Sequence, residues 1–294
     1  MHRNQKRNMW LALAPLLIGL CCLTGCTSKT VNIWGDPDTG LILKYRFPEG
    51  QALTYESKSS LLQTLDIMGQ IQEVEGNSST TVSYDSKGQQ DNNLKLKATL
   101  KAMDAYYASS QGEIIPDTSE AVGKSFDMVL SAYGRELELL GIEELKIDMG
   151  PDGSRDMSGD FQDSFPDLAE NPVKMGDSWT STVPVIQKRS TGESTLNFVN
   201  TYTLEGFETI DGYECVKIKV DTQGTYDGTA EQQGMELITE GEISGSGTFY
   251  FAYKEGIFVK MTTEGTSEGT ITVSAQGLEI PQTQEIKQEV KLIK

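Results

Sequence analysis

Histidine is almost missing from this 294-residue chain: the only one is His2, ahead of an apolar run at the amino terminus. Beyond residue 2 there is therefore no Ser-His-Asp or Cys-His catalytic set and no histidine-containing metal site. Cysteine is nearly as scarce. Cys21, Cys22 and Cys26 crowd the same terminal stretch, which leaves Cys215 alone in the rest of the chain and excludes an internal disulfide there. Prolines number only 9 against 29 glycines, a balance that suits many chain corners rather than disorder. No P-loop, G-x-S-x-G elbow, H-E-x-x-H helix or paired C-x-x-C is present. These absences exclude most enzyme classes by their chemistry.

What the amino terminus does contain is ordered. Arg3, Lys6 and Arg7 are followed by an apolar run from Met9 to Leu20, then Leu23-Thr24-Gly25-Cys26. The run is too short to span a bilayer, which takes about 20 apolar residues, and fits the hydrophobic region of a secretion signal. The order and spacing resemble the signal peptide and lipobox of bacterial lipoproteins. That resemblance implies cleavage between Gly25 and Cys26, lipid attachment (palmitate or another acyl chain) to the Cys26 thiol and acylation of the new amino terminus. Two or more acyl chains give a stable membrane anchor, whereas one gives marginal binding. The expected organisation is a cleaved signal over 1–25, a lipidated tether over 26–40 and a folded domain over 41–294, held at the cell envelope on a bacterial membrane.

Without residues 1–25, 22 basic residues face 43 acidic ones, a net charge of −21. Such a charge repels nucleic acid and anionic head groups, so no nucleic-acid partner is expected and the membrane partner is reached through the anchor.

The folded part reads as mainly β. Leu41–Phe47, Ala52–Met68, Ile71–Tyr84 and Leu94–Met103 show period-two patterns, and Phe126, Met128 and Leu130 lead through Gly134 to Leu137 and Leu139 as a hairpin. The carboxy-terminal half offers Trp179–Ile186, Leu196–Phe207, Tyr213–Asp221, Met235–Glu242, Gly247–Tyr253, Ile257–Thr263, Thr270–Ala275 and Thr283–Ile293. Ile210-Asp211-Gly212, Lys254-Glu255-Gly256 and Ser267-Glu268-Gly269 read as the turns between them. The expected fold is a large curved antiparallel sheet, a half-barrel with few short helices. Its candidate halves, 41–140 and 173–292, are joined by an acidic loop over 141–172.

Glu143 to Lys146 suits a helical turn. In the loop, Asp148, Asp152, Asp156, Asp160 and Asp163 lack the one-three-five spacing of a calcium loop, so a solvated acidic segment is expected rather than a metal site. Cys215 shares a strand face with Tyr213, Lys217 and Lys219 and reads as a quiet, half-buried thiol, with no nearby base to lower its pKa.

Phe165-Pro166-Asp167-Leu168 followed by Pro172-Val173-Lys174-Met175-Gly176-Asp177-Ser178-Trp179 resembles a segment of uncharacterised bacterial lipoprotein families. Tyr45-Arg46-Phe47-Pro48-Glu49-Gly50 and Gly123-Lys124-Ser125-Phe126 fit the same families. These look related to the lipoprotein-carrier (LolA/LolB-like) fold, in which a curved sheet wraps an apolar cavity. The resemblance implies a lipid or other apolar ligand. From the residues alone, Gly176-Asp177 makes a turn that Asp177 caps and Trp179 starts a strand. The functional expectation is a non-catalytic envelope lipoprotein that binds or carries an apolar ligand. The alternatives are a structural lipoprotein contacting an envelope protein, and a carboxylate enzyme such as a glycosidase. No catalytic, metal or cofactor-binding residue is assigned.

Overall fold

A computed structural model of the protein describes residues 35–36, 40–150, 153–232 and 234–293. The expected signal, Gly25 and Cys26 lie outside the described residues. Those described belong to one compact unit.

A two-residue pair, β1 (Gly35–Asp36) and β2 (Gly40–Leu41), precedes the main sheet. The main strands are β3 (Ala52–Ile67), β4 (Gln70–Gln90), β5 (Asn93–Ser109), β6 (Gly112–Ile114), β7 (Ser125–Leu130), β8 (Glu136–Leu140), β9 (Lys146–Asp148) and β10 (Ser154–Asp156). After a short helix, α1 (Ser158–Phe161), come β11 (Ser178–Arg189), β12 (Gly192–Ile210), β13 (Tyr213–Gln232), β14 (Met235–Ala252), β15 (Ile257–Val273) and β16 (Leu278–Leu292). The expected mainly-β, antiparallel fold is what the structure shows. The strands run in the order β8-β7-β5-β4-β3-β16-β15-β14-β13-β12-β11-β10-β9, with β6 beside β5. Pairing of β16 with β3 fuses the amino- and carboxy-terminal strands into one sheet.

The sheet curls into a half-barrel because its two ends are tied together. Gly141 to Leu145 connects edge strand β8 to edge strand β9, and Ile142–Glu144 forms a single 3-10 turn within that link. The segment after β6 runs along β5, with Gly123 N donating to Leu100 O at 2.7 Å and Thr118 Oγ1 to Met103 O at 2.9 Å. From it Asp117 reaches β9 and exchanges both backbone hydrogen bonds with Asp148, at 2.9 and 3.0 Å.

Several strands are longer than the sequence patterns suggest. The Met235–Glu242 and Gly247–Tyr253 patterns fall on one strand, β14, which ends at Ala252, and the two patterns on either side of Ser267-Glu268-Gly269 fall on β15, which ends at Val273. Ser267-Glu268-Gly269 is therefore not a turn: Gly269 pairs with Gly241 in mid-strand. Ile210-Asp211-Gly212 and Lys254-Glu255-Gly256 are turns, with left-handed backbone at Asp211 (φ 50°), Gly212 (φ 89°) and Gly256 (φ 76°). The 131–135 corner is a hairpin as well, closed by Ser131 N donating to Arg135 O at 2.8 Å.

Each long strand changes character along its length. On β13 the inward residues Val216, Ile218 and Val220 are buried, whereas Thr222, Gly224, Tyr226 and Gly228 follow on later positions. One end of the sheet therefore encloses a core and the other lines an open space.

Two segments fill the core end. Leu41, Leu43, Tyr45 and Phe47 are buried with the expected alternation, but after Leu41 they form no strand. Their backbone bonds go to separate elements: Leu41 to Val173, Tyr45 to Ala132 and Arg46 to Gly256. The 141–172 segment is not a solvated loop. Leu145, Ile147, Met157, Phe161, Phe165 and Leu168 bury themselves between its acids, because apolar side chains recur every few residues. Phe165 sits among Tyr84 (ring centroids 5.0 Å apart), Tyr45 (5.5 Å), Phe47 (6.0 Å) and Tyr55 (6.3 Å). Tyr45 donates its hydroxyl to Pro166 O at 2.9 Å and Tyr55 to Phe258 O at 2.8 Å, so neither phenol is left unpaired.

Cys215 is more deeply placed than a half-buried thiol. It is 1% exposed, in register with Glu208 and Ala252, and burial pushes its pKa up to about 12. Burial outweighs the backbone hydrogen bond from Ile210, so the thiol form is favoured.

Candidate cavity on the concave face

The open half of the concave face holds a cavity of about 860 Å³. Its walls come from β3 and from β11 to β16, and Asp163 and Pro166 lie at its inner end, above the packed core. Three cross-strand rows define the wall. Asn200, Thr222, Gly245, Gly265, Ile286 and Leu61 stand in register on β12, β13, β14, β15, β16 and β3. One step outward follow Phe198, Gly224, Ile243, Ser267, Gln284 and Gln63. The third row runs from Leu196 through Tyr226, Gly241, Gly269 and Gln282 to Leu65.

The third row carries a polar strap. Tyr226 lies across two glycines: a Cβ on Gly241 would fall 2.6 Å from its ring, and one on Gly269 would collide with its hydroxyl. Gln282 Nε2 donates to the Tyr226 hydroxyl at 2.9 Å, and Gln63 Nε2 donates to Gln282 Oε1 at 2.9 Å. Three side chains thus bind five strands together beneath the mouth. The glycines are extended mid-strand residues, used because ring and neighbouring backbone approach too closely for a side chain.

Asp163 is the acidic group at the inner end. Burial and the charge of Asp167 push its pKa up to about 7, while a hydrogen bond with Asn200 opposes the rise. The residue has surface open to cavity water, which tempers the burial effect, so its carboxylate can meet whatever enters. Behind it, Glu136 Oε1 accepts from Ser164 N (2.9 Å), Ser164 Oγ (2.9 Å) and Phe165 N (3.0 Å). Burial, then Asp163, still raises the Glu136 pKa to about 8.

Both shifts have one sign. A carboxyl with a raised folded-state pKa holds its proton in the folded protein after the unfolded chain has lost it, so stability falls as pH rises. The window runs from about 4 to about 8, between the ordinary carboxyl values and those of Asp163 and Glu136. The melting temperature should therefore drop as pH goes from 5 to 9. Glu136→Gln, which keeps an acceptor for the Ser164 and Phe165 amides, should flatten that slope; an unchanged slope would remove Glu136 as its source.

The Gly176-Asp177 turn is as expected, with Gly176 at φ 85° and Asp177 Oδ2 accepting from Lys174 N at 2.8 Å. Trp179 stacks on Tyr202 (5.5 Å) and donates Nε1–H to Asp167 O at 3.0 Å. The acids of the 148–163 segment do not converge. Asp148 accepts from Gly150 N, Asp156 from Ser158 and Asp160 from Arg155, while Asp152 lies outside the described residues. Among the described residues no three His, Cys, Asp or Glu side chains are grouped to hold a metal ion. Sequence reading missed Tyr226, Gln282, Gln63 and Asn200. The usable signal was the same-face spacing of Gly241, Gly245 and Gly247, matched by Gly265 and Gly269.

No protein-family model and no curated protein matches the chain. Among solved structures, an exported protein with a YmcC-like fold from Bacteroides fragilis is similar at 10% identity and a TM-score of 0.27, over 85% of this chain and 97% of that one. OccK5 from Pseudomonas aeruginosa aligns at 8% identity and a TM-score of 0.29, over 84% and 99%. A DUF1329 family protein from Desulfovibrio piger aligns at 10% identity and a TM-score of 0.15, over 81% and 85%. Likenesses this distant carry no argument about function.

Proposed function

We propose that this protein is a lipid-anchored, non-catalytic envelope protein that binds or carries an apolar ligand on the concave face of its sheet. The observation that carries the reading is the cavity. Leu61, Leu196, Phe198, Ile243, Ile271 and Ile286 line its wall, and about 860 Å³ lies within the range of small-molecule sites. Ile286, 44% exposed, belongs with these side chains to one apolar stretch of the concave face, the kind of surface that ligand grooves present. The anchor rests on the Leu23-Thr24-Gly25-Cys26 motif, and with it the extracytoplasmic location.

Native mass spectrometry of the protein purified from its own membranes tests both parts. An apolar molecule should accompany the wild-type protein, leave on denaturation and be missing from Phe198→Glu. A clean, empty wild-type protein would overturn the ligand reading. Cys26→Ser should lose the acyl mass and the membrane association; an unmodified wild-type Cys26 would overturn the anchor. A second reading, contact with an envelope protein, draws on Met68, Ile71 and Ile115, which are 83%, 61% and 73% exposed.

A further inference from the structure

The cavity lining is lopsided in charge, with Asp163, Glu193, Glu231 and Glu264 against one base, Arg189. At its inner end stand Asp163, Asn200 and Thr222, with Tyr202, Val220 and Phe249 as apolar surroundings. Asn200 is 5% exposed, and its Oδ1 already accepts from Thr222 Oγ1 at 2.8 Å. Asn200 also acts on Asp163, opposing the rise of its pKa. The basic residue of the lining, Arg189, is at the far end of β11, beside the hairpin that leads into β12. The groups acting on the inner end are mostly acidic: Asp163 feels Asp167, Glu136 in turn feels Asp163, and Arg135 acts on Asp167. Tyr202, on β12, also feels Asp163 and Asp167.

An anionic head group driven to this end would meet like charge at close range, which weakens its binding. A cation or a strong donor would meet a carboxylate that lines the cavity with the Asn200 amide. We propose that the ligand is a cationic or hydrogen-bond-donating amphiphile, its polar group on Asp163 and its apolar body along the β12–β16 wall. This inference rests on the apolar-ligand reading above. It excludes fatty acids and anionic lipids entering head first.

Titration calorimetry on the full chain with dodecylamine, dodecanol and dodecanoate tests it. At pH 8 dodecylamine should bind roughly tenfold or more tighter than dodecanoate, the size of a charge-assisted hydrogen bond. Asp163→Asn should abolish that preference and weaken dodecanol far less than dodecylamine, because an amide oxygen still accepts from a hydroxyl but no longer attracts a cation, and Asp163→Glu should restore it. Amine affinity should also weaken below about pH 7, as Asp163 takes up its proton. Equal binding of amine and carboxylate by the wild-type protein would overturn the inference while leaving an apolar site. A preference that survives in Asp163→Asn would do the same. Failure of all three probes to bind would instead overturn the apolar-ligand reading itself. Should Asp163→Asn fail to fold, the wild-type comparison still decides.

Discussion

Phe165→Ala should remove a large share of the stability of this protein. The ring is 1% exposed and meets four other aromatic rings contributed by β3, β4 and the 41–47 segment. Its loss leaves a cavity among side chains that cannot collapse, because Tyr45 is held to Pro166 O. Phe-to-Ala changes at such sites cost about 3–5 kcal/mol, against a typical total of about 5–15 kcal/mol. Urea unfolding should show a much lower midpoint with a slope near that of wild type. Phe165→Leu, which keeps most of the volume, should lose far less. A midpoint for Phe165→Ala close to wild type would mean that the 161–169 segment is not part of the core.

Gly269→Val should be nearly as damaging, for the opposite reason. A side chain there would run into the carbonyl oxygen of Glu240, the Cα of Gly241 and the Tyr226 hydroxyl. Two of these are backbone atoms of a paired strand and cannot move without breaking the ladder. Overpacking costs about 1–3 kcal/mol when neighbours can adjust, and more when they cannot. We expect about 3 kcal/mol or more, with loss of the Tyr226–Gln282 bond. Gly206→Ala is the matched control: nothing stands within 4 Å of its Cβ position, so its effect should stay within about 0.5 kcal/mol. Adding Tyr226→Ala to Gly269→Val should recover the ring's share of the loss and leave the backbone's. Full recovery would mean that the strands have more room than their register implies.

The same glycines explain what the sequence hid. Alternation at the core end is plain, because Val216, Ile218 and Val220 must be apolar to be buried. Beyond them the inward positions become Thr222, Gly224 and Tyr226, and the period-two hydrophobic signal fades although the strand continues. A glycine that avoids a ring is written with the same letter as one that makes a turn, so β14 and β15 each read as two strands. The 141–172 segment misled in another way. Its acids are conspicuous, but Phe161, Phe165 and Leu168 decide where it goes. Asp163 was visible as one acid among several. Its meeting with Asn200, 37 positions later, depends on how the segment crosses the sheet and has no local pattern.

The partnership of β16 with β3 also bears on how the chain reaches this state. The β3–β4 hairpin can form early from local contacts, but the other side of β3 waits for residues 278–292, more than 200 positions later. Loop closure over such a distance is slow, and until it happens β3 presents a long row of unpaired amides and carbonyls beside Leu61, Leu62 and Leu65. The late arrival of the last strand thus sets a period of vulnerability. A chain that stalls before β16 is complete carries two bare edges, on β3 and on β15, both of which β16 covers in the finished protein.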